Sequence, residues 1–470
     1  MPLRGSWANA AHRLYISGGT GTAEVVLITG GTCTSAAASG TIIATTANTH
    51  TGSWTIATAT AGLQEAFYAD APSNIHIADG AWTVYGTLTL WGQGGNTTRI
   101  TGEGAIASRL VRASTFTAGD MIYYNGSLGG GDLIMEDFGL INGSASIIGT
   151  SGSGIHLSDT YTTSIVRVWV TDGYRQLHTE GTSALTHVDS CEFRYTAAYT
   201  AAALAATQTP SEAILIASAT VNFTNNEVVQ SISTSTAGAP VFSEAFVSIK
   251  ITRGDGHTFE NNRIGGLDCF QIASDGVNPM NFTYIRNNDL NGFYRFGIYF
   301  TNASTAGTEF QNFIIANNEI VAQFLYPPFT VATTLSSGIG AGDTTITVAS
   351  ATAFKSGNIV IIDSEMILLG TVVGATATGC TRGVNSTTAA AHLAAATVSA
   401  AGPLQHIGIN ADNAFLVGVT VTGNLISGLG YSGIKVNNPK YWNISSNTIR
   451  DNNASNSTGS GIELNGTGVG

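Results

Sequence analysis

A short pattern of apolar and polar positions recurs along the chain, and an asparagine stands at its centre. An apolar residue lies three positions before this asparagine and another lies two positions after it, as in the segment 223–228. The central asparagines are Asn226, Asn262, Asn288, Asn318, Asn424 and Asn447. Their separations of 36, 26, 30, 106 and 23 residues are, with one exception, typical of the coils of a solenoid. The pattern predicts an all-β fold, a right-handed parallel β-helix.

A second pattern, small–apolar–x–apolar, precedes the asparagines, as in Gly297-Ile-Tyr-Phe300. Alternation with a period of two directs the apolar residues inward and the variable residue outward on one sheet. The predicted outward residues are His156, Gln271, Tyr299, Lys435 and Glu463. The residue before the small one is a further outward candidate, and Glu212, Asp268 and Phe296 occupy that position.

The asparagines themselves have a structural explanation. Stacked amides hydrogen-bond along the axis of a β-solenoid, because each has two donors and two acceptor sites. Asparagine also tolerates the left-handed backbone that is needed where one sheet bends into the next. We therefore expect an asparagine ladder, with Cys191 in the same place one coil earlier.

The spacing of the repeats divides the chain into four predicted segments. Residues 1–58 form a β-rich head or attachment segment, and residues 59–327 form a β-helix that opens with a short helix carrying Leu63, Ala66 and Phe67 on one face. Residues 328–403 interrupt the regular spacing of the repeats and are predicted to form an inserted β-domain. Residues 404–470 continue the β-helix and stop in mid-coil, so we expect either a longer protein or a partner that covers this end.

Composition narrows the classes of function. Charged residues make up 10% of the chain, against about 25% in ordinary globular proteins, and the net charge is −12. No basic cluster is present, which argues against nucleic-acid binding. The segment 1–17 has no apolar core of a signal peptide, and no apolar run predicts insertion into a membrane. The four cysteines are far apart and are expected to be buried, and no cofactor or metal ligand set is predicted.

Two stretches resemble known families. The order of Gln64-Glu-Ala66, glycine-marked strands and Thr101-Gly-Glu-Gly104 resembles the entry of pectate-lyase-like β-helices. The insert, with Asp363-Ser-Glu365, Thr381-Arg-Gly383 and His392, resembles a module of tailed-phage tail and baseplate proteins. A metal site at Asp363, Glu365 and His392 is less favoured than turn hydrogen bonds and packing.

Together these resemblances imply a phage tailspike or tail-fibre protein. Such a protein is expected to be a homotrimer in the virion tail, to contact tail or baseplate proteins, and to act outside the cell on host surface polysaccharide. The expected alternative is a structural or adhesive virion component without catalysis. A free polysaccharide lyase is disfavoured because a signal peptide is missing.

Candidate site residues lie on the outward strip. Glycoside hydrolysis by inversion requires two carboxylates about 6.5–9.5 Å apart. Glu212 and Asp268 would stand roughly 9.6 Å apart if one coil lies between them, since strands are spaced by about 4.8 Å. The glycan-binding candidates, rich in aromatic groups, are Gln271, Tyr294, Arg295, Phe296 and Tyr299.

Overall fold

The backbone winds through three long parallel sheets, each of eleven strands, that run side by side along one axis. The computed structural model describes residues 13–31, 41–69, 74–92, 95–128, 131–144, 146–147, 149–182, 185–196, 212–230, 247–266, 268–273, 280–293, 295–301, 310–322, 329–350, 359–383, 387–401, 407–411, 416–429, 432–437, 439–450 and 461–466. None of the helices in these ranges is long and apolar enough to span a membrane.

Each coil contributes one strand to each sheet. Sheet A contains Asn74–Ile77, Thr98–Gly102, Asp132–Glu136, Thr162–Val166, Leu185–Asp189, Val221–Thr224, Thr258–Glu260, Tyr284–Arg286, Ile314–Ala316, Thr420–Thr422 and Asn443–Ser445. Sheet B contains Gly80–Val84, Ser108–Arg112, Gly139–Ile141, Trp169–Thr171, Glu192–Tyr195, Glu227–Gln230, Arg263–Gly265, Asp289–Phe293, Glu319–Ala322, Leu425–Ser427 and Thr448–Arg450. Sheet C contains Leu88–Trp91, Ile122–Asn125, Ser153–Ser158, Arg175–Glu180, Glu212–Ala217, Val247–Ile251, Asp268–Ile272, Phe296–Phe300, Ile407–Ala411, Ile434–Asn437 and Ile462–Asn465.

A fourth, short parallel sheet forms on the turns of four coils, from Gly254–Asp255, Met280–Asn281, Phe310–Gln311 and Leu416–Val417. A single-turn 3-10 helix spans Gly126–Leu128. The predicted right-handed parallel β-helix is confirmed.

The core is a column of apolar side chains between the sheets. Alternate residues of each strand point inward, and stacked coils place like residues above one another. Phe223 and Phe259 are neighbours in register on sheet A, with ring centroids 6.1 Å apart, and Phe193 of sheet B packs against Phe223 with centroids 5.9 Å apart. All three rings are fully buried, so this column supplies much of the apolar burial that stabilises the solenoid.

The predicted asparagine ladder runs along the bend between sheets A and B. The Nδ2 atom of each asparagine donates to the Oδ1 atom of the next, at 3.2, 2.9, 3.0, 2.9 and 2.9 Å from Asn226 down to Asn447. At the top, the backbone N–H of Cys191 donates to Asn226 Oδ1 across 2.8 Å. Each Nδ2 also donates to a backbone carbonyl, for example that of Phe223 from Asn262. The ladder therefore satisfies buried polar groups that the bend leaves without strand partners.

The left-handed backbone belongs to the residue before each ladder position. Positive φ angles of 54° to 68° occur at Ser190, Asn225, Asn261, Asn287, Asn317, Gly423 and Ser446. In each Asn-Asn pair the first asparagine turns the chain and the second joins the ladder. The two explanations offered for the repeat thus apply to two neighbouring residues.

The first coil is covered at its N-terminal end. Leu63–Ala69 forms the predicted helix, in which Phe67 is fully buried and Leu63 nearly so. The amide of Gln64 both donates to the carbonyl of Thr89 at 2.8 Å and accepts from its N–H at 2.7 Å. These bonds satisfy the edge of the first strand of sheet C, which would otherwise be open to pairing.

An antiparallel sheet of Arg13–Gly18, Glu24–Gly31, Ile42–Ala44 and Trp54–Thr58 precedes this helix. The ring of Tyr15 stacks on Tyr85 of the first coil at 3.7 Å. Residues 1–12 and 32–40 of the predicted head lie outside the described residues, and the boundary at residue 58 stays a prediction.

The segment that interrupts the coils forms two small antiparallel sheets. One contains Phe329–Thr334, Ile359–Ile362, Glu365–Leu368 and Thr397–Ala401, and the other contains Ile346–Thr347, Thr371–Val373 and Thr376–Thr378. They enclose a separate apolar cluster that includes Ile346, Val360 and Val398. The strand Phe296–Phe300 then pairs directly with Ile407–Ala411, so the solenoid continues across the insertion without a shift.

Candidate functional site

The outer face of sheet C carries a row of side chains in register. Consecutive pairings align Thr89, Tyr123, His156, His178, Leu215, Lys250, Gln271, Tyr299, Asn410, Lys435 and Glu463. We call these residues the central row. All except Asn410 are partly exposed, while the residues on either side of them are buried, except Ile462 and Leu464 in the last strand. The predicted outward positions of His156, Gln271, Tyr299, Lys435 and Glu463 are therefore confirmed.

Near the N-terminal end of the central row, two histidines of the row lie beside two carboxylates. The rings of His156 and His178 stack, with centroids 4.3 Å apart and planes inclined by 19°. Asp120 Oδ2 lies 2.9 Å from His156 Nδ1, and Glu180 lies on the opposite side of the same ring. Burial lowers the pKa of His156, but the carboxylates of Asp120 and Glu180 outweigh this and raise it. Burial, together with the neighbouring His156 and Arg175, lowers the pKa of His178 to about 3.

Glu212 lies at the edge of the outer face, one coil below His178. The Arg175 guanidinium binds it through Nε at 2.9 Å and also through Nη2, and Lys250 Nζ stands 3.7 Å from its other oxygen. The residue is 1% exposed. Two cations thus hold this carboxylate in a nearly closed site.

Asp268 lies at the same edge, deeper still, and has no exposed surface. Arg295 binds both of its oxygens, through Nε at 2.8 Å and through Nη2. Burial raises the pKa of Asp268, and the hydrogen bonds and charge of Arg295 offset only part of that rise. A raised pKa is a property of general acids, but here the arginine covers the carboxyl group.

Arg295 also joins the aromatic candidates. Its guanidinium carbon lies 5.2 Å from the ring centroid of Phe296 and 5.7 Å from that of Tyr299, within the range of cation–π attraction. The two rings are 4.3 Å apart, and Gln271 is the in-register neighbour of Tyr299. Four of the five glycan-binding candidates therefore form one patch.

The fifth glycan-binding candidate, Tyr294, lies outside the described residues. Glu212, Asp268 and Phe296 are 1%, 0% and 6% exposed, so the prediction that they point outward to solvent is wrong. Each stands two residues before an inward apolar residue, and alternation places it on the inward side of the strand. Tyr299 therefore offers the open ring face of the patch. The two catalytic candidates meet the condition on register, because Val247 pairs with Glu212 on one side and with Asp268 on the other. Their catalytic roles stay a prediction, and in this arrangement neither presents a free carboxyl oxygen to solvent.

In the insert, Asp363, Glu365 and His392 form a closed hydrogen-bond network. His392 bridges the two carboxylates, with Nδ1 2.7 Å from Asp363 and Nε2 2.8 Å from Glu365. Arg382 binds both oxygens of Glu365 at 2.7 Å, and Glu365 is fully buried. Both oxygens of Glu365 are already occupied by protein donors, which favours a structural role for this network, while Asp363 remains 65% exposed.

Sequence reasoning missed several members of the outer face. His178 was not predicted as an outward residue because Gln176 stands where other coils have a small residue. Its strand therefore did not match the small–apolar–x–apolar pattern. Asp120 and Arg175 lie in other coils than their partners, 36 and 37 residues away. No local pattern marks such pairs, because the length of the loops between coils decides which residues meet.

The cysteines that lie in the described ranges, Cys191, Cys269 and Cys380, are free and buried, as expected. Burial raises the pKa of Cys191 to about 12, so its thiol is a packing group with little nucleophilic character at neutral pH.

No family model and no curated protein matches this chain. Among solved structures, it is similar to the catalytic domain of a GH87 α-1,3-glucanase in complex with nigerose, with 12% identity and a TM-score of 0.32 over 85% of this chain and 66% of that one. It is also similar to full-length tailspike protein 2 from Escherichia coli O157:H7 bacteriophage CAB120, with 11% identity and a TM-score of 0.31 over 72% of this chain and 65% of that one. The chain thus spans slightly less than two thirds of the length of each of these structures. At these values the likeness carries no argument about activity or partners.

Proposed function

We propose that the chain is a glycan-binding protein of the phage tail, of the tailspike or tail-fibre kind, and that an extended polysaccharide of the host surface lies along the outer face of sheet C. The observation that supports this most directly is the central row. Its side chains repeat at the strand spacing of about 4.8 Å and are mainly polar or aromatic. A linear polymer with repeating hydroxyl groups suits such a row better than a compact ligand does.

The patch around Tyr299 supplies the chemistry that a sugar requires. Its ring offers an apolar face with a polar tip, and Gln271 and Lys250 precede it in the row with amide and ammonium groups for hydroxyl oxygens. Arg295 packs against the rings of Phe296 and Tyr299 and fixes their position. The patch is therefore preorganised, which reduces the entropy lost on binding.

The virion context, homotrimeric assembly and contacts with tail or baseplate proteins belong to the same proposal. Support comes from the resemblance of the insert to phage-tail modules and from the low content of charged residues, which make up only 10% of the chain. A polar, weakly charged and hydrogen-bonded solenoid suits an appendage exposed to changing salt, because its stability depends little on screened ion pairs.

Binding to defined polysaccharides tests the proposal. We would measure binding of the full chain to a panel of purified bacterial capsular polysaccharides and lipopolysaccharide O-chains by calorimetry. We expect saturable binding to at least one polymer, and weaker binding to its short oligosaccharides, because fewer coils are then contacted. A folded protein that binds none of the polymers would contradict the proposal, and sedimentation analysis would test the trimer separately.

Depolymerisation of the bound glycan is a second candidate, favoured by the two-coil register of Glu212 and Asp268. Non-catalytic adhesion is the form that the geometry supports better, since Arg175 and Arg295 occupy these carboxylates. The release of reducing ends or unsaturated sugars from the bound polymer separates the two candidates. Cleavage that survives both Glu212→Gln and Asp268→Asn would show that other residues carry the chemistry.

A further inference from the structure

Near the N-terminal end of the central row, two imidazoles of the row and the carboxylate of a neighbouring residue lie close together. Nitrogen atoms of His156 and His178 and an oxygen of Glu180 all lie within 4.8 Å of one another. His156 and His178 are neighbours in register on adjacent strands. Glu180 follows His178 by two residues, so its side chain leaves the same face of the strand. Three chemically suited donors therefore converge from two coils.

The separations fit a metal ion between them. Glu180 Oε1 lies 3.2 Å from His156 Nε2, and Glu180 Oε2 lies 3.8 Å from His178 Nε2. Two ligands held about 2.0–2.1 Å from a tetrahedral metal stand roughly 3.4 Å apart. The two distances end on different oxygens of Glu180, and the ligand atoms of all three residues lie within 4.8 Å of one another, so side-chain rotation would have to bring one oxygen and two nitrogens to this spacing. The rings would open from their 19° stack as both nitrogens turn toward the ion.

Asp120 prepares His156 for this role. Its Oδ2 atom lies 2.9 Å from His156 Nδ1, and its Oδ1 atom accepts the backbone N–H of Ser153 at 2.7 Å. A carboxylate so anchored holds the proton on Nδ1 and leaves the lone pair of Nε2 directed toward Glu180, as in carboxylate–histidine–metal arrangements. Among the described residues, His156 Nε2 is buried and makes no well-aligned hydrogen bond, although Glu180 Oε1 lies 3.2 Å from it.

We infer that His156, His178 and Glu180 form a binding site for a first-row divalent transition metal such as Zn²⁺, with Asp120 as the positioning residue. Two imidazoles and one carboxylate suit Zn²⁺ and its neighbours, whereas Mg²⁺ and Ca²⁺ prefer oxygen ligands alone. Three protein ligands leave a fourth position open, on a face where Glu180 is 42% exposed. The ion would link the strands Ser153–Ser158 and Arg175–Glu180, whether or not sheet C binds a glycan.

Calorimetry of the full chain, freed of metal with a chelator and titrated with ZnCl₂, tests the site. We expect one tight site per chain, selectivity against excess Mg²⁺, and a rise in the thermal midpoint with Zn²⁺, because a ligand that binds only the folded state stabilises it. Co²⁺ should replace Zn²⁺ and show the visible absorption of a four-coordinate ion. No saturable site, or a site that Mg²⁺ occupies equally well, would overturn the inference.

Variants separate this site from adventitious binding to surface histidines. His178→Gln and Glu180→Gln should each weaken Zn²⁺ binding more than about tenfold and abolish the Co²⁺ absorption. The matched control is His76→Gln, which removes a histidine paired with a single carboxylate, Glu103, at 2.8 Å. If the control and the two ligand variants behave alike, binding is adventitious and the inference fails.

The Asp120→Asn variant tests whether Asp120 positions the ring of His156 for metal binding. The new amide would keep the bond from Ser153 but present an N–H to His156 Nδ1, which would move the ring proton to Nε2 and block the ligand atom. We expect binding about 10–100-fold weaker, as for outer-shell carboxylates elsewhere, with the metal-free melting temperature recorded to show that the fold persists. Unchanged affinity in this folded variant would remove Asp120 from the site.

Discussion

The side-chain amide of Asn318 donates to Oδ1 of Asn424 across 2.9 Å, although 106 residues separate the two in the chain. The same contact recurs between coils that are only 23 to 36 residues apart. The bend between sheets A and B therefore keeps one geometry along the described coils. An entire β-domain is accommodated on the loop between them, because a solenoid needs only the register of adjacent coils.

Replacing a ladder asparagine should destabilise the solenoid. In Asn288→Ala, the N–H and the amide of Asn262 both lose their acceptor, and buried unpaired donors cost about 1–3 kcal/mol each. We expect a lower midpoint in urea unfolding. Asn287→Gly is the matched control, since glycine tolerates its φ of 57°, and it should change the midpoint little. Equal effects of the two variants would contradict a ladder role.

The pH dependence of the insert should depend on Glu365. Burial raises its pKa, but hydrogen bonds from Arg382, Ala390 and His392 outweigh this and bring it to about 2, below the ordinary 4.5. A carboxyl group with a lowered pKa in the folded state contributes stability that is complete above its unfolded pKa. That stability is lost progressively as the pH falls from about 4.5 toward 2.

Amide hydrogen exchange of the strands Ile359–Ile362 and Glu365–Leu368 measures this loss locally. Protection should decrease in this pH range in the native chain and depend less on pH in Glu365→Gln, which starts less protected. The exposed Asp79 offers a control in Asp79→Asn, which should follow the native chain. A pH response that persists in Glu365→Gln would assign it to other groups.

Glycan binding should depend on Tyr299. Loss of its ring in Tyr299→Ala removes an aromatic contact worth about 0.5–1.5 kcal/mol, which corresponds to roughly 2–13-fold weaker binding. Trp169→Ala is the matched control, because this aromatic residue is 37% exposed and lies on sheet B. Calorimetry with the bound polymer should show a loss in the first variant alone. Equal losses, or a loss only in the control, would place the glycan elsewhere.

The small residue at the start of the small–apolar–x–apolar pattern of sheet C should not tolerate a larger side chain where adjacent coils are in close contact. A Cβ atom added at Gly297 would lie 2.6 Å from the carbonyl oxygen of Gly408 and 2.6 Å from Ile320 Cγ2. Overpacking of this kind costs typically about 1–3 kcal/mol, so Gly297→Ala should lower the melting temperature. Gly342→Ala meets nothing within 4 Å and should be close to neutral. An unchanged melting temperature in Gly297→Ala would contradict this prediction, because the coils would then accommodate the methyl group without a loss of stability.

The candidate site shows which of its features the sequence pattern could predict and which it could not. Alternation correctly directed Tyr299 and Gln271 outward, because the direction of a side chain on a strand is a local property. The pattern did not reveal that Arg295 covers Asp268 or that Arg175 covers Glu212. The partner of a charged residue in a solenoid lies one coil away, and the sequence distance to it changes with every loop.

The sequence by itself determined the class of fold, the ladder and the place of the insertion. Each follows from residues that repeat in a short frame, and a repeat of this kind can bury its apolar face only by stacking on copies of itself. Only the tertiary structure decided which side chains meet across coils. Loop lengths leave no periodic mark in the sequence, yet they bring Asp120 to His156 and His178 beside it, and with them the proposed metal site.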